Sequence, residues 1–148
     1  MFNLDNLGRL LSEQDVAMLE RRLPSGLPHG YRRFLLHHNG GTPQPDCVDV
    51  PGFGETDVQV FYGIGRDIET SCIQWNIDAL NERLDAWLVP IACDSGGNVF
   101  CLSLRPNDNG AVIYCDLDSV FADFGKPPPM YPVAADFDNF LSRLRPFS

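Results

Sequence analysis

Trp87-Leu88-Val89-Pro90-Ile91-Ala92-Cys93, then Asp94-Ser95-Gly96-Gly97-Asn98, then Val99-Phe100-Cys101-Leu102-Ser103-Leu104, is the stretch that decides the fold class. The first segment is almost continuously apolar and reads as a strand covered on both faces, with Pro90 demanding a bulge or an unpaired edge. The second holds the residues of a tight turn: glycine for unusual backbone angles, Asp, Ser and Asn for side chain-to-backbone hydrogen bonds. The third is the return strand. Pro106-Asn107-Asp108-Asn109-Gly110 then turns the chain into residues 111–116, so the predicted unit is a three-stranded antiparallel meander.

Upstream, Ile73, Ile77, Leu80 and Leu84 recur at helical spacing and predict an inserted helix. Between residues 46 and 65, β-branched and aromatic residues alternate with glycine and proline, and 47–50 and 58–62 are candidate strands. Nearer the start, Ser12 with Asp15 has the form of a helix N-terminus, and Val16, Leu19 and Leu23 share a face until Pro24. Tyr31, Phe34, Leu35 and His38 mark a second helix, stopped by Asn39-Gly40-Gly41. Downstream of residues 120–124, Lys126-Pro127-Pro128-Pro129-Met130-Tyr131-Pro132 reads as a stiff connector, and Phe137, Phe140, Leu141 and Leu144 define a closing helix.

Crossovers for a parallel sheet are missing. The expected class is therefore α+β: a single antiparallel or mixed sheet of about five to six strands, helices at both ends and one inserted helix. With 148 residues, no internal repeat and no linker, one domain spanning 1–148 is expected.

Composition narrows the function classes. A net charge of −9 opposes binding to nucleic acid phosphates or anionic membranes and favours a basic partner. No apolar run approaches the roughly 20 residues that span a bilayer, and the opening Met1-Phe2-Asn3-Leu4-Asp5 has no basic segment followed by an apolar one, so a cytoplasmic protein is expected. Cys47, Cys72, Cys93, Cys101 and Cys115 are odd in number and form no Cys-x-x-Cys pair, which argues for reduced thiols rather than a disulfide framework or a zinc site.

The segment Leu27-Pro28-His29-Gly30-Tyr31-Arg32-Arg33-Phe34-Leu35-Leu36-His37-His38-Asn39-Gly40-Gly41 resembles the LP-x-x-Y-x-x-F-L-x-x-x-N-G-G signature of the SUKH superfamily, in particular its SMI/KNR branch. The resemblance continues in order. Phe61-Tyr62-Gly63-Ile64 is similar to an early family strand, and Leu88 to Asn98 to the family hairpin I-P-I-x-x-D-x-G-G-N. Gly110 to Asp116 is similar to G-x-V-Y-x-x-D, and Phe137, Phe140 and Leu141 to the closing S-F-x-x-F-L, with Asp136 where serine is common. It covers about residues 12 to 145. Bacterial members of such a family are implied to be immunity proteins that neutralise polymorphic toxins, nucleases or deaminases, by binding them. Fungal members are implied to be cell-wall-assembly regulators. Neither role is enzymatic.

Motifs that carry chemistry elsewhere have plainer readings here. Gly63-Ile64-Gly65 begins like a dinucleotide fingerprint, but Ile68 stands at the third glycine position and no βαβ unit follows, which leaves a turn. Asp94 to Asn98 lacks both a phosphate-binding lysine and calcium-ligand spacing. His37 and His38 are neighbours on a helix and diverge by about 100°. His38 continues the apolar face, and His29 is the third histidine. Strand-embedded cysteines are expected to be inert, and Trp75 and Trp87 to be core, or anchors of an interface if exposed. No cofactor or metal is called for.

Charge distribution says more. Residues 46–69 hold Asp46, Asp49, Glu55, Asp57, Asp67 and Glu69 against Arg66 alone, and residues 108–124 add Asp108, Asp116, Asp118 and Asp123 with no base. A solvated face is one reading. The other is a docking surface for a basic toxin, carried by Asp46, Asp49, Glu55, Asp57, Asp67, Glu69, Asp94, Asp116 and Asp118.

Overall fold

A computed structural model describes residues 2–117 and 127–147. In chain order the elements are β1 (Asn3–Asp5), α1 (Glu13–Glu20), α2 (His29–His38), β2 (Thr42–Gln44), β3 (Cys47–Val50), β4 (Gly54–Asp57), β5 (Val60–Phe61), α3 (Ile73–Ala79), β6 (Leu88–Cys93), β7 (Val99–Ser103), β8 (Val112–Cys115), β9 (Met130–Ala134) and α4 (Phe137–Ser142). A single 3-10 turn, Glu69–Ser71, precedes α3.

The principal sheet is antiparallel with order β5-β6-β7-β8-β9, so the class is α+β and the predicted meander forms its centre. Two separate two-stranded ribbons, β1-β2 and β3-β4, accompany it. Alternation along the central strands explains why they are so apolar. Phe100, Leu102, Val112 and Tyr114 point to a main core with the helices, whereas Val99, Cys101, Ile113 and Cys115 face a smaller core with Leu84 and Leu88. Pro90 is accommodated as anticipated: the register shifts between Pro90 and Ala92, and β5 reaches β6 only at Ala92 and Cys93.

Helix ends follow their local chemistry. Ser12 caps α1 with a capping box: its hydroxyl accepts the Asp15 N–H while the Asp15 carboxylate accepts the Ser12 N–H. Asp136 caps α4 by accepting the Asn139 N–H at 2.7 Å, the role its serine counterpart would fill. Asn39 ends α2 in the left-handed conformation (φ 48°) and is 1% exposed. Its Nδ2 donates to the carbonyls of Arg9 and Ile64, both at 3.0 Å, and its Oδ1 accepts the Ile64 N–H at 2.7 Å. Gly63 has to be glycine, because a Cβ there would lie 2.5 Å from Asn39 O and Oδ1. Asn39-Gly40-Gly41 and Gly63-Ile64-Gly65 are thus two halves of one joint, which carries no dinucleotide-binding crossover.

Four expectations need correction. The inserted helix ends at Ala79, and Leu80 and Leu84 follow in hydrogen-bonded turns while still packing on the smaller core. The candidate strand 58–62 shortens to Val60–Phe61, which joins the principal sheet, while the residues just before it, Gly54–Asp57, form β4 and turn back on β3 through Pro51-Gly52-Phe53. The last residues of the expected connector, 130–132, open β9, whose Pro132 is tolerated because among the described residues β9 is a sheet edge and has no second ladder to donate to. Trp75 and Trp87 are each 38% exposed and are not core. The segment 120–124 lies outside the described residues.

Candidate functional site

The acidic candidates are organised by the β3-β4 ribbon. Antiparallel register sets Asp49 opposite Glu55 and Cys47 opposite Asp57. Residues directly opposite share a face, so Asp49 and Glu55 are a like-charge pair that costs stability unless a cation lies between them. Arg145 is that cation. Its Nη2 donates to Asp49 Oδ1 at 2.7 Å, its Nε to Asp49 Oδ2 at 3.2 Å, and its Nη2 also to Glu55 Oε2. The hydrogen bonds from Arg145 hold the Asp49 carboxyl below the usual carboxylate range, and Asp49 and Glu55 push the guanidinium still higher. The backbone delivers Arg145 to this place: Cys47 N–H donates to Arg145 O at 2.9 Å and Arg145 N–H to Cys47 O at 2.8 Å.

The far end of the ribbon is tied to the β6-β7 turn. Asp57 Oδ1 accepts the Ser95 N–H at 2.8 Å and its Oδ2 accepts the Ser95 hydroxyl. Beneath them Asp94 is 3% exposed, and its carboxylate is turned inward. Oδ1 accepts the N–H groups of Gly96 (3.0 Å) and Asn98 (2.8 Å); Oδ2 accepts the hydroxyls of Thr56 (2.8 Å) and Tyr114 (2.5 Å). The turn that reads as Asp-Ser-Gly-Gly-Asn is therefore a knot joining β4, β6 and β8. Burial first, then the hydrogen bond to Asp94, drives the Tyr114 phenol upward, so it donates and does not ionise.

A groove of about 480 Å³ runs along the ribbon, lined by Asp46, Glu55 and Asp57 with Thr56, Ser95 and Phe147 among others. The structure thus brings Asp46, Glu55 and Asp57 together, with Asp49 adjoining through Arg145 and Asp94 underneath. Asp67 and the exposed Glu69 are elsewhere; Asp67 borders a different groove, beside Arg9 and Arg66. Asp116 follows β8 and is half-buried, and Asp118 lies outside the described residues. Sequence reading missed Arg145 and Phe147. No spacing marks them, since their relation to β3 depends on where α4 ends.

Thiols and imidazoles offer little chemistry. Burial pushes the Cys47 and Cys93 thiols upward, with nearby carboxylates adding to the effect at Cys47. The Cys101 thiol is raised by its contact with Cys115, 3.8 Å away, and by burial. Burial lowers His38, which packs against Phe34 with ring centroids 5.1 Å apart. Among the described residues no cysteine hydrogen-bonds a histidine, no group of three or more metal-ligating side chains forms, and no helix is long and apolar enough to cross a membrane.

Comparison with known proteins gives two findings. The model of the SMI1 / KNR4 family (SUKH-1) matches residues 10–143. The SPbeta prophage-derived uncharacterized protein YokK of Bacillus subtilis (strain 168) is 25% identical over 151 aligned positions, covering 90% of this chain and 74% of that protein.

Proposed function

Because the chain belongs to the SMI1 / KNR4 family (SUKH-1), we propose that it is a non-catalytic immunity protein that binds a cognate polymorphic toxin of nuclease or deaminase type in the cytoplasm. The observation that carries this reading is the acidic groove on the β3-β4 ribbon, where Asp46, Glu55 and Asp57 converge on a chain of net charge −9. Enzymes that handle nucleic acid present basic surfaces to phosphates, and a groove of carboxylates held by a rigid scaffold is complementary to such a surface. Asp46, Glu55, Asp57 and Asp49 make the contact. The more distant Asp67, Glu69, Asp116 and Asp118 contribute to the field that steers encounter. Asp94 acts from below by fixing Thr56 and the β6-β7 turn. The prophage derivation of the relative accords with a bacterial setting, and with the immunity branch ahead of the fungal regulatory one.

The test is to purify the protein with the toxin encoded by the neighbouring reading frame and to measure association kinetics. A stoichiometric complex is expected, with an association rate that falls about tenfold or more as ionic strength rises. Asp57→Asn combined with Glu55→Gln slows association further, with melting curves confirming that the variant is folded. An association rate indifferent to salt and to these substitutions removes the reading.

A further inference from the structure

Residues 145–147, which follow α4, bind the ribbon as a ligand would. Arg145 exchanges both backbone hydrogen bonds with Cys47, on the side of β3 that β4 does not occupy, in the manner of an added strand one residue long. Its guanidinium forks onto both oxygens of Asp49 and also reaches Glu55. A planar fork meets that arrangement and an ammonium does not. The contact is open to water: the side chains of Arg145 and Asp49 are 33% and 70% exposed, so the ion pair is screened and exchangeable. Phe147 borders the acidic groove yet is 77% exposed, and lifting it away uncovers little apolar surface. Leu144, at 8%, is anchored in the main core and marks where release would stop.

We infer that residues 145–147 are a displaceable strap, a self-ligand occupying the seat on Asp49 and Glu55 that an arginine of the protein partner takes in the complex. This rests on the binding role proposed above and specifies its chemistry: the partner presents arginine, not merely positive charge. Displacement frees Cys47 N–H and O for the partner's backbone and returns Arg145 to solvent.

The experiment uses the full chain and two probe peptides, tri-arginine and tri-lysine. Amide exchange of Cys47 and Arg145 is followed by NMR, and affinities are measured by titration. Tri-arginine is expected to raise exchange at both amides about tenfold, and to bind Arg145→Gln about tenfold more tightly than the unaltered protein, because the competitor is gone. Tri-lysine does neither, and Asp49→Asn abolishes the tri-arginine response. Equal binding of tri-arginine to the unaltered protein and Arg145→Gln overturns the inference, as does an equal response to tri-lysine. Should Arg145→Gln fail to fold, Arg145→Lys keeps the charge without the fork and must also bind tri-arginine more tightly; equal affinity overturns the inference. A toxin whose affinity is untouched by Arg145→Gln and Asp49→Asn sinks the strap and leaves the immunity role standing. Positive peptide results with no toxin bound sink the immunity role alone.

Discussion

The Tyr114 hydroxyl donates to Asp94 Oδ2 at 2.5 Å, joining the third strand of the meander to the turn between its first two. The same hydroxyl accepts from Asn98 Nδ2 at 2.8 Å, and Asn98 Oδ1 accepts the Leu117 N–H at 2.8 Å. A buried network of this kind costs most when one member is removed, because the partners that stay behind remain desolvated.

Asp94→Ala orphans two backbone N–H groups and two hydroxyls, and is expected to destabilise the protein by about 3 kcal/mol or more. Tyr114→Phe removes one donor and one acceptor and costs about 1–2 kcal/mol. Chemical denaturation of both variants and of the double variant checks this. The double variant should cost less than the sum of the two, since the residues share a hydrogen bond.

Asn39→Ala removes three side-chain hydrogen bonds, two that join α2 to the loop after β5 and one to the Arg9 carbonyl, and a loss of about 2–4 kcal/mol is expected. Gly63→Ala presses its new methyl against Asn39 and should be destabilising by a similar amount. Thermal melts measure both, at about 2–4 °C per kcal/mol for a chain of this length. A Gly63→Ala protein that melts with the parent would show the joint to be looser than the distances imply.

Phe140 is fully buried between Phe100 (5.3 Å) and Phe61 (6.2 Å), linking α4 to the principal sheet. Phe140→Ala should cost about 3–5 kcal/mol. Because α4 positions Arg145 through its end, the same variant should also raise amide exchange at Cys47. Unchanged exchange there would separate the strap from the helix.

Asp15 titrates at about 2 in the folded protein, against an ordinary 3.8, because Arg9 and the Ser12 N–H favour its ionised form. A folded value below the unfolded one means that the contribution is fully present above about pH 4 and is lost as pH falls through 2. Asp15→Asn is expected to flatten that part of the acid limb while leaving its shape near neutrality unchanged. Urea midpoints at a series of pH values provide the comparison.

Cys101 and Cys115 are buried, and the Cys101 thiol is held protonated. Both should react with a thiol reagent only at the rate of global opening. Peptide mapping after timed alkylation reads the rate site by site. Modification as fast as at the partly exposed Cys72 would place the smaller core in frequent contact with solvent.

Local order was legible from sequence wherever a short-range rule determines the outcome. Ser12 and Asp15 are three residues apart and announce their capping box; Asn39-Gly40-Gly41 announces a left-handed stop; Asp94 to Asn98 announces a tight turn between two apolar runs. These signals, taken in order, were enough for the α+β class and for the family resemblance, since each depends on neighbours along the chain. Where long-range packing decided, the same reasoning went astray. Pro132 looks like a connector residue until β8 pairs with its strand, and the tryptophans look like core until the sheet faces are filled by others. The face proposed for binding belongs wholly to this second category. Composition identifies the acids, but only tertiary structure turns Asp94 inward and places Arg145 between Asp49 and Glu55, 90 residues or more away along the chain. Hydrogen bonds and charge screening act over a few ångströms of space, and separation along the chain does not predict which side chains come that close.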